Sequence, residues 1–319
     1  MSTLHDFATH AFVRPYTWRE LPGWGKAMQL VNRGHEDVRW QRSGTVVMRS
    51  KLHGLLLNLD LRTWSNRLTW FLGRYYDLGT QLLIGALLER GDVFVDIGAN
   101  EGMISLIGSL TVGAEGKVIA FEPNPVARTI FERNLAANGI SNVEIIGAGA
   151  SDAAGTLDLH VHGINTGGGS FARAGDAAED ALETVACPVV VPDVVLESLS
   201  PRVIKIDVEG FEPRVLAGLA QTIARAQPTI AVEMIASHLA KAGFTPADVR
   251  ESMEAQGYRG FRVRLTGPAT DRRLDLEPLG AGDWQDGDAF WIPEVRVDAE
   301  LHRLRGYGVA QLRAKWHLT

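Results

Sequence analysis

Two acidic side chains stand at the ends of short apolar runs, beside residues that suit ligand binding. Asp96 lies in the apolar run 93–97, and the turn after it contains Gly98 and Gly102. A carboxylate in a strand buried on both faces needs N–H donors or a cationic ligand, and glycines let a ligand approach the backbone closely. Glu122 closes the next apolar run, where a carboxylate can accept hydrogen bonds from both hydroxyls of a ribose. These residues predict a site for a ribose-containing ligand that carries a positive charge.

The glycine spacing separates two classes of nucleotide-like cofactor. Dinucleotide sites use the spacing G-x-G-x-x-G, which is absent here, and Asp96 would repel a pyrophosphate. S-adenosylmethionine instead carries an ammonium that Asp96 can accept. Asp152 follows a third apolar run and can accept the adenine amino group; the alternative is a solvated turn residue before Gly155. The pattern therefore favours S-adenosylmethionine over NAD.

Charged residues also end two later apolar runs. Strand alternation places Lys205, Asp207 and Glu209 on one side, and charges in an apolar strand are costly unless they pair or serve a ligand. We expect Lys205 to pair structurally with an acid and Asp207 to take part in chemistry. Glu209 either joins Asp207 or caps the next helix. Glu233 closes the following run, and His238 comes shortly after it as a candidate base.

This second group of residues fits the removal of a proton from a nucleophile. Asp207 and Glu233 are alternatively candidates for holding a Mg²⁺ that acidifies a hydroxyl. The sequence shows no fixed ligand spacing, so it does not indicate a metal site. The predicted catalytic residues are Asp207, Glu209, Glu233 and His238.

Alternating strand and helix patterns place both groups at one edge of a sheet. Strand-like runs alternate with helical patterns such as 125–139 and 212–226, which predicts a parallel sheet with helices on both faces. Ligands bind beyond the carboxyl ends of the strands in such a sheet. Two later strands, 260–265 and 289–292, are expected to form an antiparallel pair that closes the sheet. The fold class is therefore α/β, with a mostly parallel sheet and an antiparallel final strand.

The remaining patterns divide the chain into three parts. We expect an N-terminal extension over 1–44, one main domain over 45–297 and a helical tail over 298–319. The main domain begins with a hairpin near 45–61 and a helix from 68 to 89. It also contains a β insertion at 156–192 near the substrate site, whose low-complexity segment 172–181 is the best candidate for a lid.

Five motifs together resemble those of a known family: DIGANEG at 96–102, AFEPN at 120–124, NLAANG at 134–139, GASD at 149–152 and KIDVEGFE at 205–212. This combination is similar to the FkbM-type methyltransferases, which are S-adenosylmethionine-dependent, mostly bacterial enzymes that methylate hydroxyl groups of sugars, polysaccharides and polyketides. The resemblance covers about 45–235 and is looser to 293. Tyr76 and Asp77 stand where many members carry a Tyr-Glu pair.

The resemblance implies the seven-stranded, Rossmann-like sheet of class I methyltransferases and a site for S-adenosylmethionine. It also implies O-methylation of a hydroxyl on a sugar, polysaccharide or secondary metabolite, so the acceptor partner would be a small molecule or a glycan. The cofactor residues that it implies, with Ser151 beside Asp152, are Asp96, Gly98, Asn100, Gly102, Glu122, Asn124, Ser151 and Asp152.

Composition narrows the function further. The formal net charge of −6 argues against a nucleic-acid partner. The single cysteine gives no internal disulfide and no zinc cluster. The absence of a signal-peptide pattern or a long apolar run predicts a cytoplasmic protein without a membrane span, and the two extensions are candidates for pairing subunits in a homo-oligomer. Two alternative functions are an NAD-dependent oxidoreductase and a non-catalytic binding module with the same fold.

Overall fold

The computed structural model describes residues 40–162, 165–171, 183–280 and 286–317. The expected N-terminal extension lies outside the described residues as far as position 39, and the candidate lid at 172–181 lies wholly outside them. None of the helices in the described ranges combines the length and the apolar character that crossing a membrane requires.

The strands, numbered in chain order, form a short hairpin, a central sheet and a smaller sheet. Across the central sheet the order is β13-β12-β14-β11-β10-β3-β4-β5. The five strands from β11 to β5 are parallel to one another, and the other three are antiparallel to their neighbours. The α/β class and the parallel core are as predicted. The strands are β1 (Thr45–Arg49), β2 (Leu56–Asp60), β3 (Val93–Ile97), β4 (Lys117–Phe121), β5 (Val143–Ile146), β6 (Gly149–Ala150), β7 (Gly155–His162), β8 (Asn165–Ser170), β9 (Glu183–Val190), β10 (Pro201–Ile206), β11 (Thr229–Met234), β12 (Tyr258–Thr266), β13 (Arg273–Pro278) and β14 (Gly287–Pro293).

The central sheet has one strand more than the seven expected. The additional strand is β13, which pairs with β12 in a region that the sequence indicated as a long loop. Leu274 and Leu276 are buried there between charged residues. This is the period-two pattern of a half-buried strand, but it is short and rich in charge. The expected pairing of the two late strands is confirmed, because β14 lies antiparallel between β11 and β12.

The predicted helix from 68 to 89 is two helices. The first ends at Gly73, whose left-handed φ of 64° closes its last turn. The second starts after Asp77, whose side chain accepts a hydrogen bond from the Thr80 N–H at 3.1 Å. The helices are α1 (Trp64–Leu72), α2 (Leu78–Leu87), α3 (Met103–Val112), α4 (Pro125–Asn138), α5 (Pro192–Val195), α6 (Glu212–Gly218), α7 (Ala220–Ala226), α8 (Ala236–Lys241), α9 (Pro246–Ala255), α10 (Val297–Leu304) and α11 (Val309–His317).

Strand alternation divides the apolar core into two layers, one on each face of the central sheet. Phe94 packs in the layer with α1, α2, α3, α10 and α11, whereas its neighbour Val95 packs in the layer with α6, α7 and α9. Both side chains are fully buried. The polar groups of the site must therefore gather at the strand ends, where the apolar layers stop.

The predicted β insertion forms a separate sheet in the order β6-β9-β7-β8. Its last described residues contact the turn after β10. The Ser170 hydroxyl donates to the Glu209 carbonyl at 2.8 Å, and the rings of Phe171 and Phe211 lie 5.8 Å apart. The insertion therefore reaches the strand-end edge where the charged residues gather.

Two asparagines of the NLAANG motif hold the N-terminal hairpin against helix α4. The Asn134 side-chain oxygen accepts the backbone N–H of Asn58, and the Asn138 oxygen accepts that of Leu56, both at 2.8 Å. Asn134 also donates to the Glu101 carbonyl at 2.9 Å. Spaced four residues apart on one helix face, the two asparagines satisfy the open edge of β2 and brace the glycine-rich turn.

Candidate functional site

Asp96 is a fully buried carboxylate beneath the glycine-rich turn. Its Oδ2 accepts a hydrogen bond from the Ser105 hydroxyl at 2.6 Å, and its Oδ1 has no hydrogen-bond partner among the described residues. Burial raises the pKa of Asp96, although the Lys205 ammonium, 3.8 Å away, works against this. A buried carboxylate oxygen that can still accept a hydrogen bond suits a positively charged donor.

The turn above Asp96 lies directly against the end of β10. Gly98 has a φ of +80°, and a Cβ there would lie 1.8 Å from the Asp207 carbonyl oxygen. Gly102 has a φ of +81° and meets the Phe131 ring in the same way. Only glycine fits such positions. The close approach joins the predicted cofactor turn to the predicted catalytic strand end.

Glu122 lies at the end of β4 and reaches back to the same turn. Its two carboxylate oxygens accept the backbone N–H groups of Asn100, at 2.6 Å, and Asn124, at 2.7 Å. Burial raises the pKa of Glu122 to about 7 despite these hydrogen bonds. A carboxylate has further lone pairs, so Glu122 can still accept a hydrogen bond from a hydroxyl group. Asn124 caps α4 through its side chain, which accepts the Val126 N–H at 2.9 Å.

The third predicted cofactor acid is more exposed. Asp152 pairs with Arg214 at 3.2 Å and accepts the Ser151 hydroxyl at 2.9 Å. Burial acts to raise the pKa of Asp152, but the hydrogen bonds from Ser151 and Arg214 together outweigh it and lower that pKa. The Arg214 guanidinium lies 5.6 Å from the Phe211 ring. Ser151 and Asp152 therefore sit on the same edge as Phe211, at the side of the site near the insertion.

A cavity of about 410 Å³ opens on the other side of Asp207. The Lys205 ammonium lies 2.9 Å from the Asp207 carboxylate and is shared with Asp96. This confirms that Lys205 pairs with acids. The cavity is lined by Tyr75, Tyr76, Asp77, Leu78, Gly79, Lys205, Asp207, Glu233, Arg262, Val263, Leu265, Asp286, Gly287 and Asp288.

The acids of this cavity differ in their protonation. Burial opposes ionisation of Asp207, but the Lys205 ammonium outweighs it and lowers the pKa of Asp207. The Asp207 carboxylate in turn raises the pKa of Glu233, and the two side chains share a hydrogen bond. Burial raises the pKa of Asp288 to about 8, with Asp77 and Asp207 adding to it. Asp207 is thus the ionised member beside protonated neighbours.

Glu209 and His238 form a pair next to the cavity. His238 Nδ1 lies 2.5 Å from the Glu209 carboxylate, and this contact raises the pKa of His238. Glu209 has a left-handed φ of 56° although it is not glycine. The N–H groups of Val208 and Gly210 are accepted by Glu212, each at 3.1 Å. Glu212 therefore holds the turn that precedes α6; the N-cap residue of that helix is Phe211, which makes no side-chain capping hydrogen bond.

Three of the predicted catalytic acids are brought together in space. Carboxylate oxygens of Asp207, Glu209 and Glu233 all lie within 4.8 Å of one another. Oxygen clusters of this kind are compatible with a divalent cation, and acidic groups also gather without one. The linear spacing of these acids gave no metal pattern because they come from two different strand ends.

Several cavity residues had no place among the predicted site residues. Tyr75, Tyr76 and Asp77 line the cavity because the chain leaves helical geometry between Gly73 and α2. The available signal was Gly73 itself, a helix-stop residue inside the predicted helix. Asp288 precedes an apolar run, whereas the predicted acids lie at the ends of theirs; because its strand is antiparallel, the start of that strand lies at the same edge of the sheet as those acids.

The comparisons with known proteins agree with this geometry. The model of the methyltransferase FkbM domain matches residues 96–259, which include both strand-end groups. This chain belongs to the FkbM methyltransferase family. The family match extends from the glycine-rich turn through the KIDVEG turn to the start of β12.

Individual relatives match over shorter parts. Methyltransferase sdnD of Sordaria araneosa is 41% identical over 75 residues, which are 23% of this chain and 29% of that protein. A probable cobalt-precorrin-6B C(15)-methyltransferase (decarboxylating) of Sulfurisphaera tokodaii is 27% identical over 131 residues, covering 41% of this chain and 68% of the relative. The crystal structure of a methyltransferase FkbM from Methylobacillus flagellatus KT has a TM-score of 0.42 and 18% identity, over 72% of this chain and 54% of that one. The chain thus spans less than a third of the Sordaria relative and about half of the solved FkbM structure.

Proposed function

We propose that this protein is an S-adenosylmethionine-dependent O-methyltransferase whose acceptor is a sugar, a polysaccharide end or a secondary metabolite. The observation that carries the proposal is the contact between Gly98 and the Asp207 carbonyl. It sets a turn suited to S-adenosylmethionine directly against an acidic cavity that suits an acceptor. Membership of the FkbM family supports the reaction class.

The residues of the turn fit the proposed cofactor group by group. Asp96 offers a buried oxygen without a hydrogen-bond partner to the methionine ammonium, and Glu122 offers a buried carboxylate to the ribose hydroxyls. In this proposal Ser151 and Asp152 contact the edge of the adenine base. Asn100 and Asn124 shape the backbone of the turns between Asp96 and these residues. When bound, S-adenosylmethionine supplies a methyl group that its sulfonium already activates. The protein must then align the acceptor and take its proton.

Asp207 is the proposed proton acceptor. It is the ionised acid of the cavity, because Lys205 holds it in that form, and it lies at the junction with the cofactor turn. Glu233 is protonated beside it and can donate a hydrogen bond that orients either Asp207 or the acceptor hydroxyl. His238 is favoured less as the base, since its pairing with Glu209 stabilises the imidazolium, which cannot accept a proton. The Glu209–His238 pair instead fixes the turn that carries Asp207.

The first experiment is calorimetric titration of the protein with S-adenosylhomocysteine, with NAD as the control ligand. We expect micromolar binding of S-adenosylhomocysteine alone, and a loss of about tenfold or more in Asp96→Asn, because the ammonium loses its charged partner. Unchanged affinity in Asp96→Asn would remove Asp96 from the cofactor site. Binding of NAD alone, or of neither ligand, would overturn the proposed function.

The second experiment concerns the chemistry. Radiolabelled methyl transfer to a panel of polyols and secondary-metabolite alcohols identifies an acceptor, and Asp207→Asn is then compared with the wild type. We expect turnover to fall by about 10²- to 10⁴-fold, the range for a lost general base, with S-adenosylhomocysteine affinity retained. A fully active Asp207→Asn variant would place the chemistry elsewhere.

A further inference from the structure

The acceptor cavity collects carboxyl groups from several separate elements. Asp77 comes from the start of α2, Asp207 follows β10, Glu233 lies in β11 and Asp288 in β14. Glu233 and Asp288 are direct partners in the antiparallel register of these two strands. Two ionised carboxylates opposite each other would destabilise a sheet. In the ligand-free protein the raised pKa values of Glu233 and Asp288 mean that bound protons remove this repulsion, and a bound cation can take the place of those protons.

The described wall of the cavity has fewer basic side chains than carboxyl groups. Lys205 is divided between Asp207 at 2.9 Å and the buried Asp96 at 3.8 Å, and Asp96 lies on the cofactor side. The Asp96 Oδ1 has no hydrogen-bond partner among the described residues, so part of the Lys205 charge is held there. Arg262 is the other basic residue of the lining. Among the described residues of the lining, two basic side chains therefore face the carboxyl groups of Asp77, Asp207, Glu233, Asp286 and Asp288, with Asp96 behind Lys205.

Aromatic rings complete the wall beside the acids. The rings of Tyr75 and Tyr76 lie 4.8 Å apart, and Tyr76 lies 5.6 Å from the Trp64 ring. Both tyrosines line the cavity. Aromatic faces combined with carboxylates are the chemistry that binds an organic ammonium. They contribute nothing to holding an acceptor carboxylate or phosphate, which the acids would repel.

We propose that the acceptor carries a protonated amine in addition to the hydroxyl that is methylated, as an amino sugar or another amino alcohol does. This inference rests on the proposed function. Asp77, Asp288 and the tyrosine faces hold the ammonium, with Asp288 releasing its proton to solvent as the ammonium binds, while the hydroxyl approaches Asp207 at the junction with the cofactor turn. The cavity acids thereby select the substrate class, and only Asp207 and its partner Glu233 serve the proton transfer.

Three probes with one ring and different charges test this proposal. They are 2-aminocyclohexanol, cyclohexane-1,2-diol and 2-hydroxycyclohexanecarboxylate, each titrated into the protein with and without saturating S-adenosylhomocysteine at neutral pH. We expect the amino alcohol to bind at least about tenfold more tightly than the diol, and the carboxylate to bind most weakly. Equal binding of amino alcohol and diol, tighter binding of the carboxylate, or no measurable binding of the amino alcohol would overturn the inference.

Matched variants locate the binding. Asp288→Asn keeps the side-chain shape but cannot ionise beside an ammonium, and Asp77→Ser removes the carboxyl group while keeping a residue that caps helix α2. Both are expected to reduce the preference for the amino alcohol to about threefold or less, while Glu115→Gln, an exposed acid away from the cavity, retains it. A preference that survives both cavity variants would overturn the assignment.

A metal ion is the main competitor for two of the cavity acids, because carboxylate oxygens of Asp207, Glu209 and Glu233 lie within 4.8 Å of one another. The probe for it is Mg²⁺ alone, and Mg²⁺ binding that displaces the amino alcohol would assign these acids to a metal ion and overturn the amine proposal. The titrations with and without S-adenosylhomocysteine distinguish a failure of the proposed function from a failure of the amine inference. Failure of S-adenosylhomocysteine to bind contradicts the proposed function, whereas its binding without any amine preference contradicts only this inference.

Discussion

At the scale of single residues, the site shows how neighbours decide whether a buried acid is ionised. Asp207 and Glu122 both lie at strand ends, but only Asp207 has an ammonium in contact, at 2.9 Å. Glu122 has two backbone N–H donors instead, and burial still raises its pKa to about 7. Hydrogen bonds from neutral donors offset the rise in pKa caused by burial less than a nearby full positive charge does. Glu122 is thus poised to titrate near neutral pH, and Asp207 is not.

This difference predicts a pH dependence of cofactor binding. Ribose hydroxyls donate hydrogen bonds, so they bind the ionised form of Glu122 better than the protonated form. With a pKa of about 7, the ionised fraction rises about tenfold between pH 6 and pH 8. We expect the affinity for S-adenosylhomocysteine, measured by calorimetry, to rise with pH over that window by up to about tenfold.

Glu122→Gln is the matched control for this dependence. The amide keeps the size of the side chain but cannot ionise, so its affinity should be lower and its pH profile flatter. Burial also raises the pKa of Asp96. Asp96 therefore makes the affinity rise with pH as well, and this part of the pH dependence remains in the variant. An identical pH profile in Glu122→Gln and in the wild type would exclude Glu122 as the titrating group.

At the scale of elements, the packing of β3 against β10 leaves no room at Gly98. A Cβ at Gly98 would lie 1.8 Å from the Asp207 carbonyl oxygen, whereas Gly91, with a φ of +88°, has nothing within 4 Å of a built Cβ. Both glycines have left-handed backbones, so Gly91→Ala carries the conformational cost alone, about 1 kcal/mol. We expect Gly98→Ala to lower the free energy of unfolding by a further 1–3 kcal/mol, about the cost of overpacking, and to weaken S-adenosylhomocysteine binding.

Urea denaturation of the two variants measures this difference directly. Gly91→Ala should retain cofactor affinity, because the substituted residue lies at the start of the strand and away from the turn. Equal losses of stability in the two variants would mean that the β3 and β10 ends can move apart without cost. The turn and the acceptor cavity would then be less tightly joined than the structure indicates.

Sequence patterns gave the parallel core of the fold but missed its irregular parts. The runs around Asp96, Glu122 and Asp207 are apolar and buried on both faces, so their period and their terminal acids were visible along the chain. Strand β13 was missed because its two buried leucines alternate with charged residues over a short run. The break between α1 and α2 was missed because the apolar pattern continues across Gly73, and the left-handed cap there depends on backbone geometry.

Some residues of the site were predicted from the sequence, and others were not. Acids that follow parallel strands were found, because all such strand ends meet at one edge. Asp288 was missed, since it lies at the beginning of an antiparallel strand, and its proximity to Glu233 follows only from the register of β11 and β14. Asn134 and Asn138 carried a family motif, but their bonds to the hairpin join residues about 80 positions apart. Contacts of that kind depend on tertiary packing and leave no local period.

At the scale of the whole molecule, the buried acids set how stability depends on pH. A group whose pKa is higher in the folded state binds its proton more tightly there, so its contribution to stability falls as the pH rises toward the folded value. Asp288 is raised to about 8 and Glu122 to about 7 by burial. His238 is raised by Glu209 and has the same sign. Asp152 and Asp207 have lowered pKa values, so their contribution to the stability of the fold is present at neutral pH. It is lost only as the pH falls below their ordinary pKa values.

These signs predict that the ligand-free protein is most stable at mildly acidic pH and loses stability from there to about pH 8. Each proton that the folded state holds in excess contributes about 1.4 kcal/mol per pH unit. Asp288 lies half-buried among Asp77, Asp207, Glu233 and Lys205, so Asp288→Asn should remove a large part of this slope. We expect urea denaturation to give similar free energies of unfolding for both proteins near pH 4, close to the ordinary pKa of an aspartate, and a more stable variant near pH 8. A wild-type stability that is flat or rises over this range would contradict the raised pKa values of Asp288 and Glu122.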